Sequence, residues 1–192
     1  MNTGRPKSSS RETLAEAACE LFLEQGYAAT SVSDIASRAG VSRSSFFNYF
    51  SSKSDVIWGG FDTRARAACA AIAAEGDPAV ALRAIADGFA PDSLALAITH
   101  AAAMGLAADL ASERALRQAE LGRAVSDRLS HRGLPRLAAD VRGAAAGGAV
   151  LAAVWEWSGA GPARGDLATI LGEALAIAGL GSDADEAAAA RR

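Results

Sequence analysis

Alanine fills 49 of the 192 positions, and no other feature of the sequence narrows the fold as much. It is the best helix former and is depleted in strands, so a chain this rich in it is expected to be helical throughout. The remaining composition excludes disorder: 51% of residues are hydrophobic and 21% charged, whereas unfolded chains combine few apolar residues with a high net charge. No alternating strand pattern interrupts the helical spacing of apolar residues. The predicted fold class is all-α, with a length that suits one or two small domains.

A formal charge of −3, from 19 Lys+Arg against 22 Asp+Glu, rules out a globally basic nucleic-acid coat. The longest charge-free stretch of the apolar middle, residues 93–108, contains Thr99 and His100 and is shorter than the ~20 residues of a membrane span. The first ten residues, Met-Asn-Thr-Gly-Arg-Pro-Lys-Ser-Ser-Ser, lack the apolar centre of a secretory signal. Cys19 and Cys69 lie in helical patterns at no metal-ligand spacing, which predicts reduced core thiols, although counting alone does not exclude a disulfide. A cytoplasmic protein using no membrane, metal or cofactor is the expectation.

The chain changes character near Asp55. Before it stand six basic and six acidic residues and three of the six phenylalanines in one cluster. After it, Gly76-Asp77-Pro78, Ala90-Pro91-Asp92, Gly133-Leu134-Pro135 and Gly159–Pro162 punctuate an Ala/Leu/Gly-rich sequence. These are loop and helix-boundary signals, and they predict helices over 53–75, 79–89, 93–104, 107–131, 136–158 and 165–179.

A first helix, predicted over 10–25, carries Leu14, Ala18, Leu21 and Phe22 on one face and Glu12, Glu16, Glu20 and Glu24 opposite. Like charges four apart slightly disfavour that helix, so packing must hold it. Ser31-Val-Ser-Asp34 has the capping-box pattern and opens a second helix with Val32, Ile35, Ala36 and Ala39 inward. Gly40 tolerates the left-handed conformation that ends a helix. Ser42 then caps a third helix whose inward residues are Phe46 and Phe50. Two helices joined by so tight a corner, crossing over the small Ala36, make a helix-turn-helix unit.

The outward face of the third helix carries Arg43, Ser44, Phe47, Asn48 and Tyr49 and no acid. Arginine pairs bidentately with guanine and asparagine with adenine in the major groove, while serine and tyrosine hydroxyls reach phosphates. Ser52-Lys-Ser-Asp55 repeats the capping pattern. Lys53 therefore falls in the first turn of a helix, where the dipole disfavours a cation unless an anion such as phosphate binds. Arg5, Lys7 and Arg11 of the leader are further candidates for DNA-backbone or minor-groove contacts, a solvated tail being the alternative.

The run that begins at Leu14, Leu-x6-Leu-Phe-x3-Gly-Tyr-x2-Thr-Ser-Val-x2-Ile-Ala-x3-Gly-Val-Ser-x3-Phe-Phe-x-Tyr-Phe-x2-Lys, resembles the DNA-binding domain of TetR-family transcriptional regulators. Its continuation to Trp58, Gly59, Phe61 and Asp62 is similar to the mycofactocin-type subgroup. The resemblance implies an all-helical homodimer with a DNA-binding domain over 10–55 and a divergent effector-binding and dimerisation domain over 56–180. A flexible basic leader (1–9) and a fraying tail (181–192) complete the expected organisation. By motif position it implies phosphate contacts from Ser31, Ser42, Tyr49 and Lys53, and base contacts from Arg43, Ser44, Ser45 and Asn48. Phe47 stands where the family usually has tyrosine, so the hydroxyl that would contact phosphate is missing there.

Farther along, Leu137, Val141, Ala144, Gly148, Leu151 and Trp155 recur four and three apart, a seam for one packed neighbour. Gly143, Gly147 and Gly148 add a surface that a helix backbone can approach closely. The resemblance implies that the last two helices pair with those of a second copy. Val141, Ala144, Gly148, Leu151, Leu171 and Ala174 are then the dimer-interface candidates, with closure of the protomer's own core as the alternative. Large side chains are scarce among so many alanines, which makes Trp58, Phe61, His100, Met104 and Trp155 the effector-pocket candidates; a core role for His100 competes.

The functional expectation is a repressor released from palindromic double-stranded DNA by a small, apolar effector. A helical adaptor without DNA binding is the rival. A small helical enzyme is a third reading, for which two histidines and two separated cysteines offer no catalytic constellation.

Overall fold

The computed structural model describes residues 10–90, 92–161 and 165–181; the leader with Arg5 and Lys7, and the tail past 181, lie outside the described residues. Every regular element among the described residues is helical. In chain order they are α1 (Ser10–Gln25), α2 (Val32–Arg38), α3 (Arg43–Phe47), α4 (Lys53–Ala73), α5 (Pro78–Arg83), α6 (Ser93–Thr99), α7 (Ala107–His131), α8 (Arg136–Gly159) and α9 (Leu167–Ile177). A 3-10 turn, Ala84–Ala86, follows α5.

The chain divides into two compact units, but not in sequence order. One takes the chain through Gly60 together with Asp92–Ala108; the other takes Phe61–Pro91 and the chain from Asp109 onward. The first unit extends past residue 55 and takes in α6, which packs with α1. The cause lies in α1, whose buried stripe includes Ala17 and Cys19 beside Leu14, Ala18, Leu21 and Phe22. That stripe is wide enough for a second neighbour, and α6 supplies buried Leu94, Ala95 and Ala97. Burial pushes the Cys19 thiol above its usual pKa range.

α6 stops short of the expected 93–104. Thr99 Oγ1 donates back to the Ala95 carbonyl at 2.8 Å, Gly105 takes a φ of +65°, and the Met104 carbonyl accepts the Tyr27 N–H at 2.8 Å. Leaving the helix separates His100, exposed, from Met104, fully buried. The expected helix over 79–89 likewise ends at Arg83. Its trailing carbonyls, Asp87 and Gly88, accept hydrogen bonds from the Arg64 guanidinium.

In the second unit, α8 and α9 pack along each other, with Val150, Leu151, Val154, Leu167, Leu171 and Leu175 buried. α7 crosses α8 at glycines on both helices. A Cβ on Gly143 would lie 2.4 Å from the Gly122 carbonyl oxygen, and one on Gly147 2.2 Å from that of Gln118. α8 is long and apolar enough to cross a membrane, which the sequence reading does not anticipate, but half of its apolar window is buried within the protein. Arg117 ties α7 to α4 through a bidentate pair with Asp62, at 2.6 and 2.8 Å.

Candidate nucleic-acid interface

The corner is dictated by three local signals. Ser31 Oγ accepts the Asp34 N–H at 3.1 Å, and Asp34 Oδ2 accepts the Ser31 N–H at 2.8 Å, which completes the capping box of α2. The Ser31 hydroxyl, which donates to Asp34 Oδ2 at 2.7 Å, and the Ser31 N–H together hold the Asp34 carboxyl below its usual range. Gly40 has a φ of +69°; its N–H donates to Ser37 and that of Val41 to Ala36, at 3.1 and 2.9 Å. Carbonyls left unpaired at the end of α2 are thereby satisfied. Ser42 Oγ accepts the Ser45 N–H at 3.1 Å and starts α3.

Phe46 and Phe50 lie buried under α3, 5.5 Å apart between ring centroids. Above them Arg43, Ser44, Phe47, Asn48 and Tyr49 are all exposed, and Ser45 is half-buried. Asn48 is the helix's C-cap rather than part of its body. The Ser42 hydroxyl lies 2.8 Å from those of both Ser44 and Ser45, a small cluster of donors and acceptors. Two of the four acids of α1 are drawn elsewhere: Arg38 on α2 binds Glu20 at 3.3 Å and Glu24 at 2.7 Å. That pairing holds the Glu24 carboxyl below the usual range.

Two cations expected to meet DNA have partners inside this unit. Lys53 Nζ donates to the Tyr27 and Thr30 carbonyls at 2.7 Å each and lies 4.3 Å from the Tyr27 ring centroid. Those partners relieve the conflict with the α4 dipole without any phosphate. Arg11 sits in α1 rather than in the leader. It donates to the Tyr49 carbonyl at 2.8 Å, with its guanidinium 4.5 Å over Phe50. Lys53 thus fastens the α1–α2 turn to the start of α4, and Arg11 fastens the turn after α3. Backbone carbonyls leave no trace in residue identity, which is why neither clamp is visible in the sequence.

The expected effector residues are divided between the two units. Trp58 and Met104 are fully buried and His100 exposed in the first unit; Phe61, buried, and Trp155, half-buried under Arg114, belong to the second. Cavities instead follow α4 and α7 of the second unit. One of about 360 Å³ is lined by Asp62, Ala65, Arg66, Cys69, Leu116, Arg117, Glu120 and Leu121. Another, of about 500 Å³, shares Cys69 and continues past Ile72 to Arg128 and His131. Leu151 and Leu171 are buried within the unit and serve its core, so neither is open to a partner. Val141 and Ala144 are exposed, Gly148 and Ala174 half-buried, and the flanking Leu137 and Ile177 are 77% and 89% exposed.

A capped helix-turn-helix presenting an acid-free face of guanidinium, amide and hydroxyl groups is the architecture of a DNA-binding domain. Residues 14–57 match the family model described as bacterial regulatory proteins, tetR family. The chain carries the TetR-family DNA-binding domain on an all-helical, TetR-like fold. A Mycobacterium tuberculosis protein named as a putative mycofactocin biosynthesis transcriptional regulator, MftR, is 40% identical over 60 residues. That match spans 31% of this chain and 30% of the relative's length. Among solved structures, Thermus thermophilus FadR, a TetR-family repressor in complex with lauroyl-CoA, is 26% identical with a TM-score of 0.51, over 90% of this chain and 94% of that one.

Proposed function

We propose that the protein is a homodimeric transcriptional repressor that leaves a palindromic operator when an effector with an apolar chain binds. The observation that carries this reading is α3: capped by Ser42, seated on Phe46 and Phe50, and exposing Arg43, Ser44 and Asn48 with no carboxylate beside them. Arg43 and Asn48 contact base edges, with Ser44 and Ser45 next to them; Ser31, Ser42 and Tyr49 hold phosphates. Lys53 serves as the clamp that positions them. Two copies related by a two-fold axis place their α3 helices in successive major grooves, about 34–36 Å apart.

Leu137, Val141 and Ile177, with Ala144, Gly148 and Ala174, supply the dimer surface. Large apolar side chains exposed together on neighbouring helices mark an association site. The effector occupies the α4–α7 cavity, its chain along Ala65, Leu116 and Leu121 and an anionic group near Arg66. The likeness to a repressor solved with lauroyl-CoA makes acyl-CoA thioesters the first class to screen. α4 contributes residues to both units, so ligand at its middle can bias the segment that Lys53 anchors.

The test is selection of full-length protein on a random-sequence duplex library, followed by mobility shift with and without acyl-CoA. An enriched inverted repeat that acyl-CoA releases is the expected result. A monomer that enriches no sequence overturns the reading.

A further inference from the structure

We infer that Phe47, acting beside Arg43, reads the C5-methyl group of a thymine within two base pairs of the guanine that Arg43 contacts. This rests on the DNA-binding reading above and adds a specificity determinant to it. Phe47, the last residue of α3, is 49% exposed. It has no hydroxyl, so neither a phosphate oxygen nor a base edge can hydrogen-bond to it. What an apolar ring can distinguish in the major groove is the thymine methyl, since the other groups displayed there are hydrogen-bond donors and acceptors.

Position and rigidity narrow the choice further. Arg43 and Phe47 are four residues apart and so share one helix face, with Cβ atoms about 5–6 Å apart. That offset corresponds to one or two steps of a duplex that rises about 3.4 Å per base pair. The Phe47 ring is held before any DNA arrives: Phe46, itself buried, meets it edge-on at 5.4 Å and 84°, and the Arg43 guanidinium lies 5.8 Å from its centroid. A preoriented ring gives up little freedom on binding, so its packing against a methyl group appears as affinity. The same ring shields one side of the guanidinium, which favours a fixed approach of Arg43 to guanine O6 and N7.

The probe is deoxyuridine, which removes the methyl group and leaves pairing unchanged. In the duplex selected by the full-length protein, each thymine is replaced singly and the dissociation constants are compared. One thymine per half-site is expected to matter, by about fourfold, as burial of a single methyl group predicts. Phe47→Ala should bind the thymine and uracil duplexes equally, whereas Phe47→Tyr, which keeps the ring, should retain the preference. Indifference of the wild-type protein to every replacement overturns the inference, as does a preference that survives in Phe47→Ala, while the operator and the regulator reading stand. Failure to select any sequence overturns both.

Discussion

Lys53→Met separates a clamp from a phosphate ligand, because it removes the ammonium and keeps an unbranched apolar stem over Tyr27. The substitution deletes two hydrogen bonds of 2.7 Å to backbone carbonyls and the approach to the Tyr27 ring at 4.3 Å. Hydrogen bonds involving a charged group contribute about 1.5–3 kcal/mol each, and an exposed cation–π pair about 0.5–1 kcal/mol. Lys53 is only half-buried, so water replaces part of this; a net destabilisation of about 2–3 kcal/mol follows. At about 2–4 °C per kcal/mol for a chain of this size, the melting temperature should fall by about 5–10 °C. Operator affinity should fall with it, because residues 27–31 would no longer hold Ser31 in place. The slope of log K against log salt should stay unchanged, whereas removal of one cation from a phosphate would flatten it by about 0.9. Circular-dichroism melting and a salt series on the selected duplex read both quantities. A variant that melts like wild type but shows the flatter slope refutes the clamp and restores Lys53 to the DNA backbone.

Gly147→Ala places a Cβ 2.2 Å from the Gln118 carbonyl oxygen, where only backbone movement gives relief; a destabilisation of about 1–3 kcal/mol in denaturant unfolding is expected. Val141→Glu together with Ile177→Glu puts charge on positions 61% and 89% exposed, so sedimentation should report a monomer that retains native helicity. Asp34 and Glu24 have carboxyl pKa values lowered by their hydrogen bonds to Ser31 and Arg38. Their stabilisation is therefore complete above the unfolded carboxylate range, near pH 4, and is lost as pH falls through the lowered folded values. Melting temperatures between pH 7 and pH 3 should fall less steeply for Asp34→Asn than for wild type.

The parts of the site that the sequence discloses are those with local causes. Ser31 with Asp34, Gly40 and Ser42 act within a few residues of themselves, so spacing alone specifies two helix starts and a left-handed stop. Gly143 and Gly147 are legible for a similar reason, since two glycines one turn apart make a smooth face whatever crosses it. What stays hidden depends on partners distant in sequence. Lys53 and Arg11 read as free cations because their acceptors are the carbonyls of Tyr27, Thr30 and Tyr49. The Asp62–Arg117 pair that lines the α4–α7 cavity joins residues 55 positions apart, a separation at which no local spacing rule operates. Scarcity of large side chains says nothing about where a cavity lies; Trp58 and Met104 are fully buried, and the cavities along α4 and α7 are lined by other residues.

The clamps also limit how an effector can act. α3 is fixed from beneath by Phe46 and Phe50, at its start by Ser42, and just past its end by Arg11 on the Tyr49 carbonyl. The turn before α2 is fixed to α4 by Lys53, and its Thr30 hydroxyl, buried, donates to the Gly26 carbonyl at 2.8 Å. Reshaping α3 itself would mean breaking several of these bonds at once. Moving the corner as a body leaves all of them intact, and a two-fold palindrome is sensitive to the separation of its two readers. A ligand of modest differential affinity can shift an equilibrium only by that difference. If, as proposed, an effector binds in the α4–α7 cavity, the low-energy response is displacement of an intact corner rather than its deformation.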